Sequence, residues 1–234
     1  MGRNTDNSEA LCANPAGLAG LPSGPIGVLA ALPGELGALP RMAEQSHMVG
    51  GLRIHQLTLE GRAVLAACGG VGKVNGAGAA ALLLAQGAEI LLVVGTAGAL
   101  TRQTPVGTLV HCQRAFQADL AVREHRQQEP HSLILACWQR VCPAAQGWFL
   151  TADRPVLNPW RRFRLARAFS GPAVADMETG AAARVAERAG VPWGALRVVT
   201  DAAGFGAGRS FAQNYAGLAA LPADSLGELL RELP

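Results

Sequence analysis

Residues 89–95, EILLVVG, form an almost wholly apolar run. Such a strand is buried on both faces, which requires helices above and below a largely parallel sheet. The rest of the chain repeats the theme. Strand-like runs at 26–32, 63–70, 107–112, 147–152, 172–178 and 193–200 alternate with helical segments at 73–87, 132–142, 159–169, 179–190 and 211–233. Gly87 and Gly190 follow two of these helices as C-terminal stops. The alternation, with no linker and no internal repeat, predicts one α/β domain: a mixed, largely parallel central sheet flanked by helices. It spans 25–234, behind a polar, loop-like leader over 1–24.

Half of the residues are hydrophobic, so the 234-residue chain can bury a sizeable core. No apolar run reaches the ~18–20 residues of a membrane span. The leader lacks a signal peptide's charged start and apolar stretch. Five cysteines, Cys12, Cys68, Cys112, Cys137 and Cys142, are scattered with no CxxC pair and no matching histidine spacing. They signal neither a zinc site nor a disulfide framework, and single thiols fit a reducing cytoplasm. No metal and no organic cofactor is indicated. The densest basic stretch, RRFRLAR at 161–167, offers two readings: a nucleic-acid patch, or a solvated helix face with Phe163, Leu165 and Ala166 partly inward. No nucleic-acid motif or aromatic platform accompanies it, which favours the second.

In open α/β sheets ligands bind beyond the carboxyl ends of the strands. Unusual residues collect there. Glu35 follows the first strand in ALPGELGAL, and Thr96 lies in VVGTAGAL. The turn GGVGKV carries Val71; its glycines permit positive φ and close backbone approach. Met177 and Glu178 lie in ADMETG, where a carboxylate at a helix start also has an ordinary capping role. RVVTDAAG brings Arg197, Thr200 and Asp201 to the end of a buried strand. Three carboxylates and one arginine around small residues suit a neutral, polyhydroxylated substrate. Carboxylates accept from sugar hydroxyls, and a protonated one delivers a proton.

These stretches carry a resemblance. IGVLAALPGEL, GGVGKVNGAGAAALLL, VVGTAGAL, VGTLV, FLTADRPV, VADMETGAAARVAERAGVPWGALRVVTD and GRSFAQNY occur in the order of the nucleoside phosphorylase/nucleosidase superfamily. The chain most resembles the bacterial 5′-methylthioadenosine/S-adenosylhomocysteine nucleosidases. The resemblance implies hydrolysis of a purine N-glycosidic bond without cofactor, by a homodimer acting on a small-molecule nucleoside. It assigns Glu35 to water activation and Asp201 to protonation of purine N7. Glu178 would hold the ribose hydroxyls, with Met177, Thr96, Val71 and Phe211 around the sugar and its 5′ substituent. Val156 keeps the frame of the base loop, and Arg197 and Thr200 support the same end. Pro155 stands where the family has an aromatic that stacks on the base. The region after 114–122 lacks the aromatic-rich insertion that contributes to the family's dimer and to the partner's 5′ pocket.

Three alternatives remain at this level. Related nucleosidases acting on adenosylhopane share the proline–valine pair, which admits a lipophilic 5′ substituent. A phosphorylase would need arginines for a phosphate dianion. Similar phosphorylases carry one on the strand before the GTAG-type turn, where this chain has Val93, and one shortly after the first strand, where no basic residue precedes Arg41. A binding-only protein that kept the fold would have no need of Glu35, Glu178 and Asp201 together.

Overall fold

The computed structural model describes residues 20–234. Most of the leader expected over 1–24, and Cys12 with it, lies outside them. Ten strands form one mixed sheet: β1 Ile26–Ala30, β2 Gln45–Val49, β3 Leu52–Leu59, β4 Arg62–Cys68, β5 Ile90–Ala99, β6 Leu109–Gln117, β7 Gln127–Gln128, β8 Ala145–Thr151, β9 Ala173–Asp176 and β10 Trp193–Asp201. Their order is β10-β6-β8-β9-β5-β1-β4-β3-β2, with β7 beside β6. β5 also pairs with β10, so β5, β10, β6, β8 and β9 close into a ring. The ladders β4–β1–β5–β10 and β6–β8–β9 are parallel. The contacts β10–β6 and β5–β9 that complete the ring are antiparallel.

Among the described residues eight helices flank the sheet: α1 Leu39–Met42, α2 Lys73–Ala85, α3 Ser132–Val141, α4 Pro159–Ala166, α5 Thr179–Ala189, α6 Ala207–Leu218, α7 Leu221–Asp224 and α8 Leu226–Glu232. β5 shows why both faces need cover. Leu91 and Val93 join one core with Leu83 of α2 and Ala182 and Ala186 of α5. Ile90, Leu92 and Val94 join a second with Ile134 and Trp138 of α3 and Leu229 of α8. This is the period-2 alternation of a strand, with apolar residues on both sides. Small residues, Gly76, Ala79 and Ala80 of α2 and Ala182 and Ala183 of α5, are buried between the helices and the sheet.

The antiparallel hairpin β2–β3 lies outside the alternation of strand and helix. β2 reads QSHMV and buries none of its residues, so it carries no apolar signal. The single closing helix expected over 211–233 is three helices. α6 begins earlier, at Ala207, after Gly206 in the left-handed region. It ends before Pro222, which lacks the N–H needed to continue a helix and occupies the first turn of α7. The irregular stretch over 119–131 contains a short 3₁₀ turn and β7.

Candidate active site

A cavity of about 240 Å³ opens at the strand ends. Its wall includes Glu35, Val71, Thr96, Val156, Met177, Glu178, Arg197, Thr200, Asp201 and Phe211. The ten residues come from seven separate stretches of the chain and share one space.

Glu35 is buried at the end of a 3₁₀ turn, Pro33–Leu36, that follows β1. Its Oε2 accepts from the backbone N–H groups of Ala31 and Leu32, both at 2.9 Å. Its Oε1 accepts from the Thr96 N–H at 2.8 Å and the Thr96 hydroxyl at 2.7 Å. Four donors thus surround an acceptor-only group. Gly95 makes this possible. Its φ is +147°, and a Cβ there would stand 2.6 Å from the Arg197 guanidinium and 2.8 Å from the Glu35 carboxyl.

Arg197 is 1% exposed in the middle of β10, opposite Gly95. Its Nη2 donates to Asp176 at 3.0 Å, to Glu178 at 3.2 Å and to the Thr179 hydroxyl at 3.0 Å. Its Nη1 donates to the Thr96 carbonyl at 3.2 Å. The guanidinium is therefore committed to the protein's own carboxylates, which hold its pKa above the ordinary arginine range against the effect of burial.

Glu178 occupies the N-cap position of α5, but its side chain makes no capping hydrogen bond. The Thr179 N–H is taken by Asp176 Oδ2 at 2.9 Å. Glu178 instead turns into the cavity and accepts from the Gly72 N–H at 2.9 Å. Desolvation raises its pKa, partly opposed by Arg197. Gly76 of α2 lets the Glu178 backbone approach; a Cβ there would be 2.9 Å from the Glu178 Cβ. Two N–H groups of the glycine turn are thus given to protein carboxylates: Gly72 to Glu178, and Lys73 to Asp153 at 2.8 Å.

At the opposite end, the β10–β5 register slips between Val199 and Asp201. Successive residues of a regular strand face opposite ways, and this bulge lets Thr200 and Asp201 both line the cavity. Asp201 accepts from the Ala203 N–H at 2.8 Å and lies 3.2 Å from the Thr200 hydroxyl. Ala203 reaches this position with a φ of +41°. Desolvation raises the Asp201 carboxyl above the ordinary aspartate range, against those two bonds and the charge of Arg162.

The lip beyond Asp201 is exposed at most of its residues. Arg154, Pro155 and Leu157 are exposed while Val156 is buried. Phe211 stacks on Tyr215 with ring centroids 5.1 Å apart, and the Tyr215 hydroxyl accepts from the Gly34 N–H at 3.1 Å. Among the described residues no group of three or more His, Cys, Asp or Glu is arranged to hold a metal.

Sequence reasoning overlooked Asp176 as a brace. It is buried, bonds Thr151, Thr179 and Arg197, and leaves Glu178 free to face the cavity. Its only sequence signal is a second acid two residues before Glu178. The reading of Phe163 as partly inward is corrected: Phe163 is 58% exposed, because Leu165 and Arg162 occupy the inward side of α4.

The phosphorylase superfamily pattern matches residues 25–231. The chain belongs to the phosphorylase superfamily. Among curated relatives it is similar to the 5′-methylthioadenosine/S-adenosylhomocysteine nucleosidase of Mycobacterium bovis, with 28% identity over 89% of this chain and 96% of the relative. It is also similar to the nucleosidase of the same name from Shewanella halifaxensis, with 25% identity over 75% of this chain and 85% of the relative. Among solved structures, S-adenosylhomocysteine nucleosidase from Streptococcus pyogenes shares the fold with a TM-score of 0.85 at 24% identity, covering 92% of this chain and all of that one (100%). Futalosine hydrolase of Helicobacter pylori shares it at 0.84 and 22%, covering 90% and 99%. The curated relatives are nucleosidases, and the chain is an enzyme of that kind, an N-glycosyl hydrolase.

Proposed function

We propose that the chain hydrolyses the N-glycosidic bond of a 5′-substituted adenosine, such as methylthioadenosine or S-adenosylhomocysteine, with water as nucleophile. One observation carries the reading. A carboxyl whose pKa is raised by desolvation, Asp201, shares a cavity with a carboxylate held by four donors, Glu35.

N-glycosidic cleavage passes through a ribosyl cation-like state, and adenine leaves poorly as an anion. Asp201, protonated, gives its proton to N7 and removes that difficulty. Glu35 orients the water that attacks the anomeric carbon and takes its proton, the Thr96 hydroxyl turning between the two. Each transfer is worth roughly 10²–10⁴-fold. Glu178 keeps lone pairs for the ribose 2′- and 3′-hydroxyls, with Met177, Val71, Thr96 and Phe211 against the sugar and its tail. Thr200 and Val156 shape the base end, and Arg197 acts through Glu178. Carboxylates outnumber the single buried cation, and that excess favours positive charge developing on the sugar.

Phosphate finds little to bind. Arg197 is occupied by Asp176 and Glu178, the Gly72 and Lys73 N–H groups are occupied by carboxylates, and Val93 is buried in the core. The proline–valine pair, Pro155 and Val156, lines the cavity and supports as second reading a lipophilic 5′ substituent. A cytoplasmic homodimer completes the proposal; the free thiols of Cys68, Cys112, Cys137 and Cys142 support the compartment. Incubation with methylthioadenosine, S-adenosylhomocysteine, adenosine and inosine, with chromatography of the free base, tests the reading. Adenine should appear from the first two. Free base from none of the adenosines would overturn it.

A further inference from the structure

Alone among the helices of the described residues, α4 buries none of its side chains. Trp160 is 80% exposed and Phe163 58%. Trp160, Phe163, Arg164 and Arg167 recur at the spacing of a single helix face. The Arg167 guanidinium lies 5.7 Å from the Phe163 ring centroid. The other face anchors the helix: Arg162 donates to the Leu100 carbonyl at 3.1 Å, and Leu165 packs on the core cluster around Leu150 and Val156. Two more exposed apolar residues flank this face, Leu157 on the preceding loop and Phe205, which shares a surface depression with Phe163.

The charge around these residues is of one sign. Between Asp153 and Asp176 the chain has five arginines and no acid. The two shallow depressions beside α4 include Arg102, Arg161, Arg164 and Arg167 in their walls and no carboxylate. Exposed Trp, Phe and Leu beside arginines are the composition of a surface that meets a membrane interface. A second copy docked by the same face would set arginine against arginine. The exposed aliphatic Leu157 suits a bilayer and gives a nucleic-acid base nothing to stack on.

We propose that this face, centred on Trp160, Phe163, Arg164 and Arg167, docks on the surface of an anionic lipid bilayer. The rings enter the headgroup boundary and the guanidinium groups pair with lipid phosphates. Leu157 also lines the cavity, so docking turns the cavity mouth toward lipid. That consequence rests on the proposed nucleosidase reading; the docking itself does not.

The test is co-sedimentation of the full chain with extruded vesicles of phosphatidylcholine, with and without phosphatidylglycerol. The protein should pellet only with the anionic vesicles, and less so as salt rises. R164E/R167E should weaken binding by at least about tenfold, and W160A/F163A by about fivefold or more. Both pairs are exposed and none of the four lines the cavity, so melting temperature and turnover of a soluble nucleoside should stay at wild-type values. No pelleting, or pelleting that neither double variant weakens, overturns the proposal. So does a gel shift with single-stranded RNA, or self-association, that the same substitutions abolish while vesicles are ignored.

Discussion

The two ends of the cavity are built on opposite plans. At the sugar end, Glu35 receives four hydrogen bonds and Glu178 leans on Arg197 and the Gly72 N–H. At the base end, Asp201 has one firm backbone donor and a shared threonine hydroxyl, and the loop over it is exposed. At one end the carboxylates are held in place by several donors. At the other, Asp201 has few, and desolvation raises its carboxyl above the ordinary aspartate range. The contrast divides labour between carboxylates, and each end can be broken separately.

The largest effect should come from the base end. Asp201→Asn should lower turnover of adenine nucleosides by at least about 10²-fold, since an amide is a poor acid. The amide oxygen still accepts from the Ala203 N–H, so the fold should persist. Its stability should even rise near neutral pH. The folded-state pKa of Asp201 lies above its unfolded value. Its contribution is therefore full below the ordinary aspartate range and lost as pH rises through the raised value. Asparagine has no such loss. Melting curves across that range, beside rates, check both halves. The wild-type kcat/KM should fall as pH rises through the same group.

Glu35→Gln should cost about 10²–10³-fold in kcat, and here stability should fall as well. Both carboxylate oxygens receive donors, so the amide NH₂ must face one pair. That leaves buried donors unmet, at about 1–3 kcal/mol. An inactive variant with unchanged melting would mean that the four-donor arrangement does not exist in solution.

Arg197→Met tests the brace rather than the chemistry. It strands Asp176 and Glu178 as buried, unpaired carboxylates and should destabilise the fold by about 3–5 kcal/mol. Denaturant titration reads this directly. A loss below about 1 kcal/mol would show that the two acids find other partners.

Glu178→Gln should have the smallest effect: a KM increase of about tenfold for ribosides, and less for 2′-deoxy substrates. Lost stability with an unchanged riboside preference would instead make Glu178 only a structural partner of Arg197.

The strand ends were legible in the sequence because apolar runs stop there on residues with no place in a core. Glu35, Glu178 and Asp201 stand out for that reason, and all three line the cavity. The pairing of charges was not legible. Whether Arg197 faces substrate or Asp176 depends on the β10–β5 register and on the space left by Gly95, both non-local. Of the β2–β3 hairpin, QSHMV buries nothing, whereas LRIHQLTL buries Leu52, Ile54 and Leu57 and was passed over; in the closing stretch Pro222 marks the first of two breaks. The exposure of Phe163 escaped because an arginine-rich helix reads alike whichever face it turns outward.

The central claim is that water, not phosphate, attacks the sugar. Methylthioadenosine should be turned over in phosphate-free buffer and in buffer with millimolar phosphate, with products separated by chromatography. Similar rates and free methylthioribose are expected in both. Sugar 1-phosphate as the main product, or a rate that vanishes without phosphate, would contradict it.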